Sequence, residues 1–308
     1  MWAQRREKES PDKEQSALET MTRRSPHDFD GLENMRMSNE TRESPAYDTS
    51  AKNLRLLADR LLELLRIRTL PIGMKLFEAT SDLEKIPGLR RPTEGYRFAM
   101  CQLVTQSRMA GFTLGITSAN LQQDSNCGGV IGLNGPAEQL MTGELLTGVW
   151  FANQEAARAH QGEMIRVPPG RYSAVAVSPL RAARLDPPDL ILFYGTPAQT
   201  ILFINGLQWK RYRRYDMTIA GESACSDSWG RALKTGETSI SIPCYAERRY
   251  GGVAEDELLL AMPPEEFARG IEGLDGLARA GFRYPIPPYG AHMDPSAGMR
   301  KSYELRRA

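Results

Sequence analysis

Four cysteines are the residues of this sequence best suited to chemistry, and their placement has a pattern. Cys101 opens a stretch of helical composition that Gly111 closes, and the alternating run 112–117 then leads on to Cys127-Gly128-Gly129. Cys225 opens a second such stretch, closed by Gly236, and the run 238–242 leads to Pro243-Cys244. Each copy places one thiol at a helix start, where the aligned backbone dipoles favour a thiolate. The other thiol lies just beyond the following strand. Three chemistries suit such a set. An iron–sulfur cluster accepts four thiolates from distant loops, and glycine at 128 and 129 lets the backbone approach a bulky inorganic group. A structural zinc site usually takes its ligands in close pairs, whereas no two of these cysteines lie nearer than 19 positions, the span from 225 to 244. Unmetallated cysteines behave as small buried hydrophobes.

The leading expectation is an iron–sulfur cluster held by Cys101, Cys127, Cys225 and Cys244, with zinc as the alternative metal. Such a centre would serve redox or Lewis-acid chemistry on a small polar substrate. The rival reading is a non-catalytic binding module for a small anionic ligand, with structural cysteines. For ligand or cofactor binding the candidates are Gly128, Gly129, Arg248 and Arg249. Glycine turns bind anions through backbone N–H groups, and an arginine can hold a carboxylate or phosphate bidentately. No catalytic residue is assigned. Of the histidines only His160 falls within the expected domain, so a Cys–His nucleophilic pair has little support.

The elements that must position these residues are legible from periodicity. Leu54, Leu57, Ala58, Leu61, Leu62, Leu64 and Leu65 recur at three-four spacing, an amphipathic helix. The run 72–77 alternates as a strand, with Lys75 on the side opposite Met74 and Leu76 and expected on solvent. Residues 148–160 predict a helical region and 171–178 a strand. The near-continuous apolar run 189–195 predicts a strand covered on both faces. Thr196-Pro197 starts a helix well, because threonine caps and proline fits the first turn. Residues 256–263 predict a strand and turn, and 264–280 a helix with acids in its first turn.

The fold class expected is α+β: a single compact domain over 51–284, built from two pseudo-repeated strand–helix–strand–Cys units at about 70–160 and 171–280. Residues 1–50 are polar and poor in large aliphatic side chains, which predicts a disordered leader. Residues 285–308 are rich in proline and glycine and predict a surface tail. The net charge of +1 gives no electrostatic case for nucleic acid, and the basic run 210–215 has no companion patch. No apolar run is long enough for a membrane span, and the N-terminal residues have no apolar core of a secretory signal. The expected compartment is cytoplasmic, and the expected partner is a small-molecule substrate or a redox partner.

Several of these segments together resemble the uncharacterised ArCR family, a domain of unknown function. They are 71–77, Cys101-Gln102, Cys127-Gly128-Gly129, the strand–Tyr194-Gly195-Thr196-Pro197-Ala198-Gln199–helix element, Ser223-Ala224-Cys225, the stretch 242–249 and Glu257-Leu258. The resemblance covers roughly 53–282 and implies a cytosolic prokaryotic-type protein, with no established reaction.

Overall fold

The structure, a computed structural model, describes residues 47–122 and 125–287. The expected leader lies outside them apart from 47–50, and the expected tail apart from 285–287. Helix α1 (Ala51–Leu65) buries Leu54, Ala58, Leu61 and Leu65, and the Ser50 side chain caps it by accepting from the Asn53 N–H. Strand β1 (Ile72–Phe77) follows, then α2 (Met100–Ala110), β2 (Leu114–Thr117), the short α3 (Cys127–Val130) and α4 (Glu138–Met141). Helix α5 (Gln154–Glu163) leads to β3 (Ala174–Pro179), β4 (Leu190–Gly195) and α6 (Pro197–Leu207). A π-helical turn, Ser226–Gly230, runs into α7 (Arg231–Thr235); β5 (Ser239–Ser241), α8 (Tyr245–Gly251), β6 (Leu258–Met262) and α9 (Pro264–Arg279) complete the chain.

The strands form one sheet in the order β2-β3-β1-β4-β6-β5, and every neighbouring pair is antiparallel. Alternation sorts the side chains between two layers. Met74, Val177, Leu192, Tyr194 and Leu259 face a layer made by α2, α3, the π turn and α7, with Met100, Val104, Val130 and Trp229 packed against them. Ile191, Phe193, Leu260 and Met262 face the other way, onto α1, α6 and α9. Burying each such leucine or phenylalanine favours folding by about 1.5–3 kcal/mol. All six residues of β4 are buried, as an apolar run covered on both faces requires.

The Tyr194–Gln199 element has a mechanical explanation. Thr196 and Gln199 form a reciprocal cap, with Gln199 Oε1 accepting from the Thr196 N–H at 2.7 Å. The amide Nε2 of Gln199 donates to the carbonyls of Leu65 and Arg66, at 2.9 and 3.3 Å, so it satisfies the open C-terminal end of α1. Glycines let α6 and α9 cross in close contact: a Cβ on Gly273 would stand 1.8 Å from the Gly206 carbonyl oxygen. Gly111 ends α2 in the left-handed region at φ 76°, as expected of its capping position.

Some expectations shift in detail. Lys75 is exposed at its tip and donates to the Pro187 carbonyl at 2.7 Å. The basic run 210–215 is engaged with acids, Lys210 with Glu272 and Arg213 with Glu237 and Glu266. The helical region expected over 148–160 is confined to 154–163, where Asn153 supplies the cap. Among the described residues no helix is long and apolar enough to cross a membrane.

Candidate functional site

All four cysteines line one cavity of about 660 Å³, and all four sit at the beginnings of helical elements. Cys101 is the second residue of α2 and Cys127 the first of α3; Cys225 precedes the π turn and Cys244 caps α8. The rest of the wall includes Gln102, Asn126, Trp150, Glu222, Ser223, Tyr245, Glu247 and Tyr250. Trp150 and Tyr245 meet edge to face, ring centres 5.2 Å apart, and both are exposed to solvent at the rim.

The expected metal centre is not formed. Among the described residues, no group of three or more His, Cys, Asp or Glu side chains is placed to hold a metal ion. This corrects the assignment of Cys101, Cys127, Cys225 and Cys244 as ligands of an iron–sulfur cluster. The thiols are spread round a cavity wall, and the close sulfur pair is Cys127–Cys225, with Sγ atoms 3.8 Å apart. Burial pushes the Cys244 thiol up to about 12, with Glu247 and Glu222 adding to the shift. Burial also raises Cys101, and its hydrogen bond to Cys127 together with burial raises Cys225. Helix starts favour thiolates, but here desolvation and acidic neighbours win.

The other assigned residues stand around this cavity and not in its wall. Gly128 and Gly129 are buried within α3, where a Cβ on Gly128 would meet the Asn134 side chain at 2.2 Å. Arg248 donates to the Ala254 carbonyl, and Arg249 is exposed on α8. His160 Nε2 lies 3.1 Å from the Glu222 carbonyl oxygen, so that nitrogen donates there.

Sequence reasoning missed Glu247. Its signal was the Cys244-x-x-Glu247 spacing of a capping box, in which the residue at the third helical position reaches back to the cap. The Cys244 N–H donates to Glu247 Oε2 at 3.3 Å, and the Tyr194 hydroxyl donates to Oε1 at 3.4 Å. Burial raises this carboxyl from 4.5 to about 7, against the lowering effect of those two hydrogen bonds and of Arg108. Below Tyr194 the Arg108 guanidinium lies 4.0 Å from the ring centre and pairs with Glu257 at 3.2 Å, both side chains buried. A buried polar chain thus runs from Glu257 through Arg108 and Tyr194 to the cavity wall.

The sign of the Glu247 shift fixes a pH dependence. The folded chain holds a proton that the unfolded chain has already lost between pH 4.5 and about 7. This group therefore favours folding fully below the unfolded value, and that contribution is lost as pH rises through the folded one. The urea midpoint should fall between about pH 5 and about pH 8, and Glu247→Gln should flatten the fall. Asp189 and Glu222 are raised by burial too, so the difference between variant and native protein is the quantity to read. Identical slopes would show that Glu247 titrates normally.

The model of the uncharacterised ArCR family, domain of unknown function 169, matches residues 60–273, well over half of the chain. An uncharacterized protein of Methanocaldococcus jannaschii is 23% identical over 223 residues, which is 71% of this chain and 92% of that protein. No solved structure matches the chain. The matched span contains all four cysteines, the Tyr194–Gln199 element, Glu247 and the Arg108–Glu257 pair, so the chain belongs to the uncharacterised ArCR family.

Proposed function

We propose that the cavity binds a small organic molecule with an apolar, planar part, and that Glu247 exchanges a proton with it. The observation that carries this reading is a cavity of about 660 Å³ whose wall combines aromatic rings, thiols and a carboxyl raised to about 7. That volume lies in the usual range for small-molecule sites, which pair apolar walls with a few converging polar groups. Trp150, Tyr245 and Tyr250 supply faces on which a flat molecule can stack. A carboxyl poised near neutral pH is suited to both accepting and returning a proton.

The strand order also supports a two-fold construction of the site. Outward from the centre, one half reads β1, β3, β2 and the other β4, β6, β5, with β1 and β4 antiparallel at the join. In each half the central strand comes first, the edge strand follows a cysteine-bearing helical element, and the chain then returns between them. On this reading the halves are 72–179 and 190–262, in place of the units expected at about 70–160 and 171–280, because β3 belongs with β1 and β2. Cys101 then corresponds to Cys225 and Cys127 to Cys244. The cavity lies where equivalent helix starts approach each other. Glu247 has Val130 as its counterpart, three residues beyond the equivalent cysteine, so the acid belongs to one half alone. An experimental structure in which the rotation relating β1 to β4 carried Cys101 away from Cys225 would sink this reading.

Titration of the full chain with the fluorophore anilinonaphthalene sulfonate tests the binding site. Saturable binding is expected, weakened by Trp150→Ala about twofold to tenfold, the equivalent of one aromatic contact. Dye that binds equally well to Trp150→Ala and to protein alkylated at Cys127 would place its site elsewhere and overturn the reading.

A further inference from the structure

Cys127 and Cys225 come from different parts of the chain, yet their sulfurs lie 3.8 Å apart. The backbone around them is specially built for this approach. Ser223, two residues before Cys225, holds φ at 61°, a left-handed conformation that side-chain-bearing residues rarely adopt. The Asn126 amide donates to Ser223 Oγ at 3.0 Å, and so ties the residue before one cysteine to the loop before the other. Arg166 donates to Asn126 Oδ1 at 3.3 Å and holds the amide in that orientation. After Cys225 the chain makes a π-helical turn, an irregularity often found at functional sites.

The two thiols differ in access. Cys127 is half-buried and Cys225 buried, and both belong to the cavity wall. Cys127 is thus the more accessible of the two to a molecule in the cavity, with Cys225 Sγ 3.8 Å from its sulfur. This is the arrangement of an attacking and a resolving thiol. We propose that Cys127 and Cys225 form a reactive dithiol that reduces a small disulfide entering the cavity. The proposal rests on the reading that the cavity admits small organic molecules, and it names one class of them.

The step balances without a metal. Cys127, as its thiolate, attacks one sulfur of R–S–S–R. The S–S bond breaks, and the leaving RS⁻ takes up the proton that Cys127 gave, departing as RSH. Cys127 now carries a mixed disulfide. Cys225 then loses its proton and attacks Cys127 Sγ, and the second RS⁻ leaves as RSH with that proton. The dithiol ends as an intramolecular disulfide, oxidised by two electrons, and the small disulfide ends as two thiols. The sulfurs need to close from 3.8 Å to about 2.05 Å, the length of an S–S bond. The buried state of Cys225 suits the resolving role, because its thiol stays protonated and quiet until a sulfur is presented beside it. Attack by whichever thiol is ionised and accessible is the general rule of exchange.

The test uses the reduced full chain, hydroxyethyl disulfide as the probe, and peptide mapping by mass spectrometry after quenching. The expected product is a Cys127–Cys225 cross-link with two molecules of mercaptoethanol released per chain. Cys225→Ser should stop at a mercaptoethanol adduct on Cys127, and Cys127→Ser should lose the reaction at both positions. Iodoacetamide labelling of the native protein separates the two readings. Label on Cys127 without a Cys127–Cys225 cross-link from the disulfide overturns the dithiol and leaves the cavity reading standing. Cys127 inert to both reagents in the folded chain overturns both. A cross-link joining either cysteine to Cys101 or Cys244 instead would overturn the pairing, and this outcome is read on native protein without any variant.

Discussion

Gly273→Ala should leave little folded protein, with stability lowered by more than about 3 kcal/mol and urea unfolding as the measurement. The methyl group would stand 1.8 Å from the Gly206 carbonyl oxygen and 2.5 Å from its carbonyl carbon. Both atoms are backbone, so no rotamer change relieves the clash. The helices must separate, and α6 and α9 then lose contact across Phe203, Leu207, Phe267, Ile271 and Leu274. Gly206→Ala should act in the same direction, because its Cβ would meet the Gly270 carbonyl oxygen at 2.6 Å. Gly162→Ala provides the contrast. It lies in α5 with nothing within 4 Å of the added atom, so it should stabilise by up to about 1 kcal/mol through helix propensity alone. A Gly273→Ala protein that unfolds at the native urea concentration would show that the α6–α9 crossing has room for a methyl group.

Neither the closeness of that crossing nor its partners can be read from the sequence. Gly206, Gly270 and Gly273 look like weak points in helical patterns until two helices are seen to meet there. What the sequence does disclose is whatever depends on neighbours along the chain. The alternation of β1, the buried run of β4, the Thr196 cap and the turn at Gly111 are local, and each is found where expected. The cysteines divide along the same line. That Cys101 and Cys225 begin helical elements follows from local composition, and so does the glycine that closes each one. How far apart the four sulfurs stand in space is a tertiary fact, and the inference from convergence to a metal centre failed there. Nothing local marks Glu247 as buried, since a capping-box acid normally faces solvent. Here β4 and α2 cover it, and burial turns a routine cap into the group near neutrality in the cavity wall.

Arg108→Met should cost about 3–5 kcal/mol, because it leaves the Glu257 carboxylate buried without its partner. The guanidinium donates to Glu257, to Thr69 Oγ1 at 3.2 Å and to the Gly252 carbonyl at 3.3 Å, and it lies against the Tyr194 ring. These contacts join α2 to the segment before β1, to β4 and to the segment after α8, far apart in sequence. The Glu257 carboxylate keeps one other bond, from the Ala254 N–H at 2.9 Å, too little to offset its desolvation. The double variant Arg108→Met with Glu257→Leu should regain much of the loss, since an apolar pair of similar volume often replaces a buried ion pair without penalty. A double variant no better than the single one would locate the cost in packing and not in the unpaired charge. The same substitution reaches the cavity. The Arg108 charge holds Glu247 lower than burial alone would leave it, so its removal should raise that carboxyl further above 7. In Arg108→Met alone, the pH at which Glu247 stops favouring the folded state should therefore move upward. In the double variant the loss of Glu257 pushes the other way, because a removed negative charge eases ionisation of the remaining acid. The shift is therefore read on the single variant. Glu257→Gln measured alone separates the two effects. An Arg108 variant whose Glu247 titration stays unmoved would show that the buried chain from Glu257 to the cavity holds the fold together and does not tune the site.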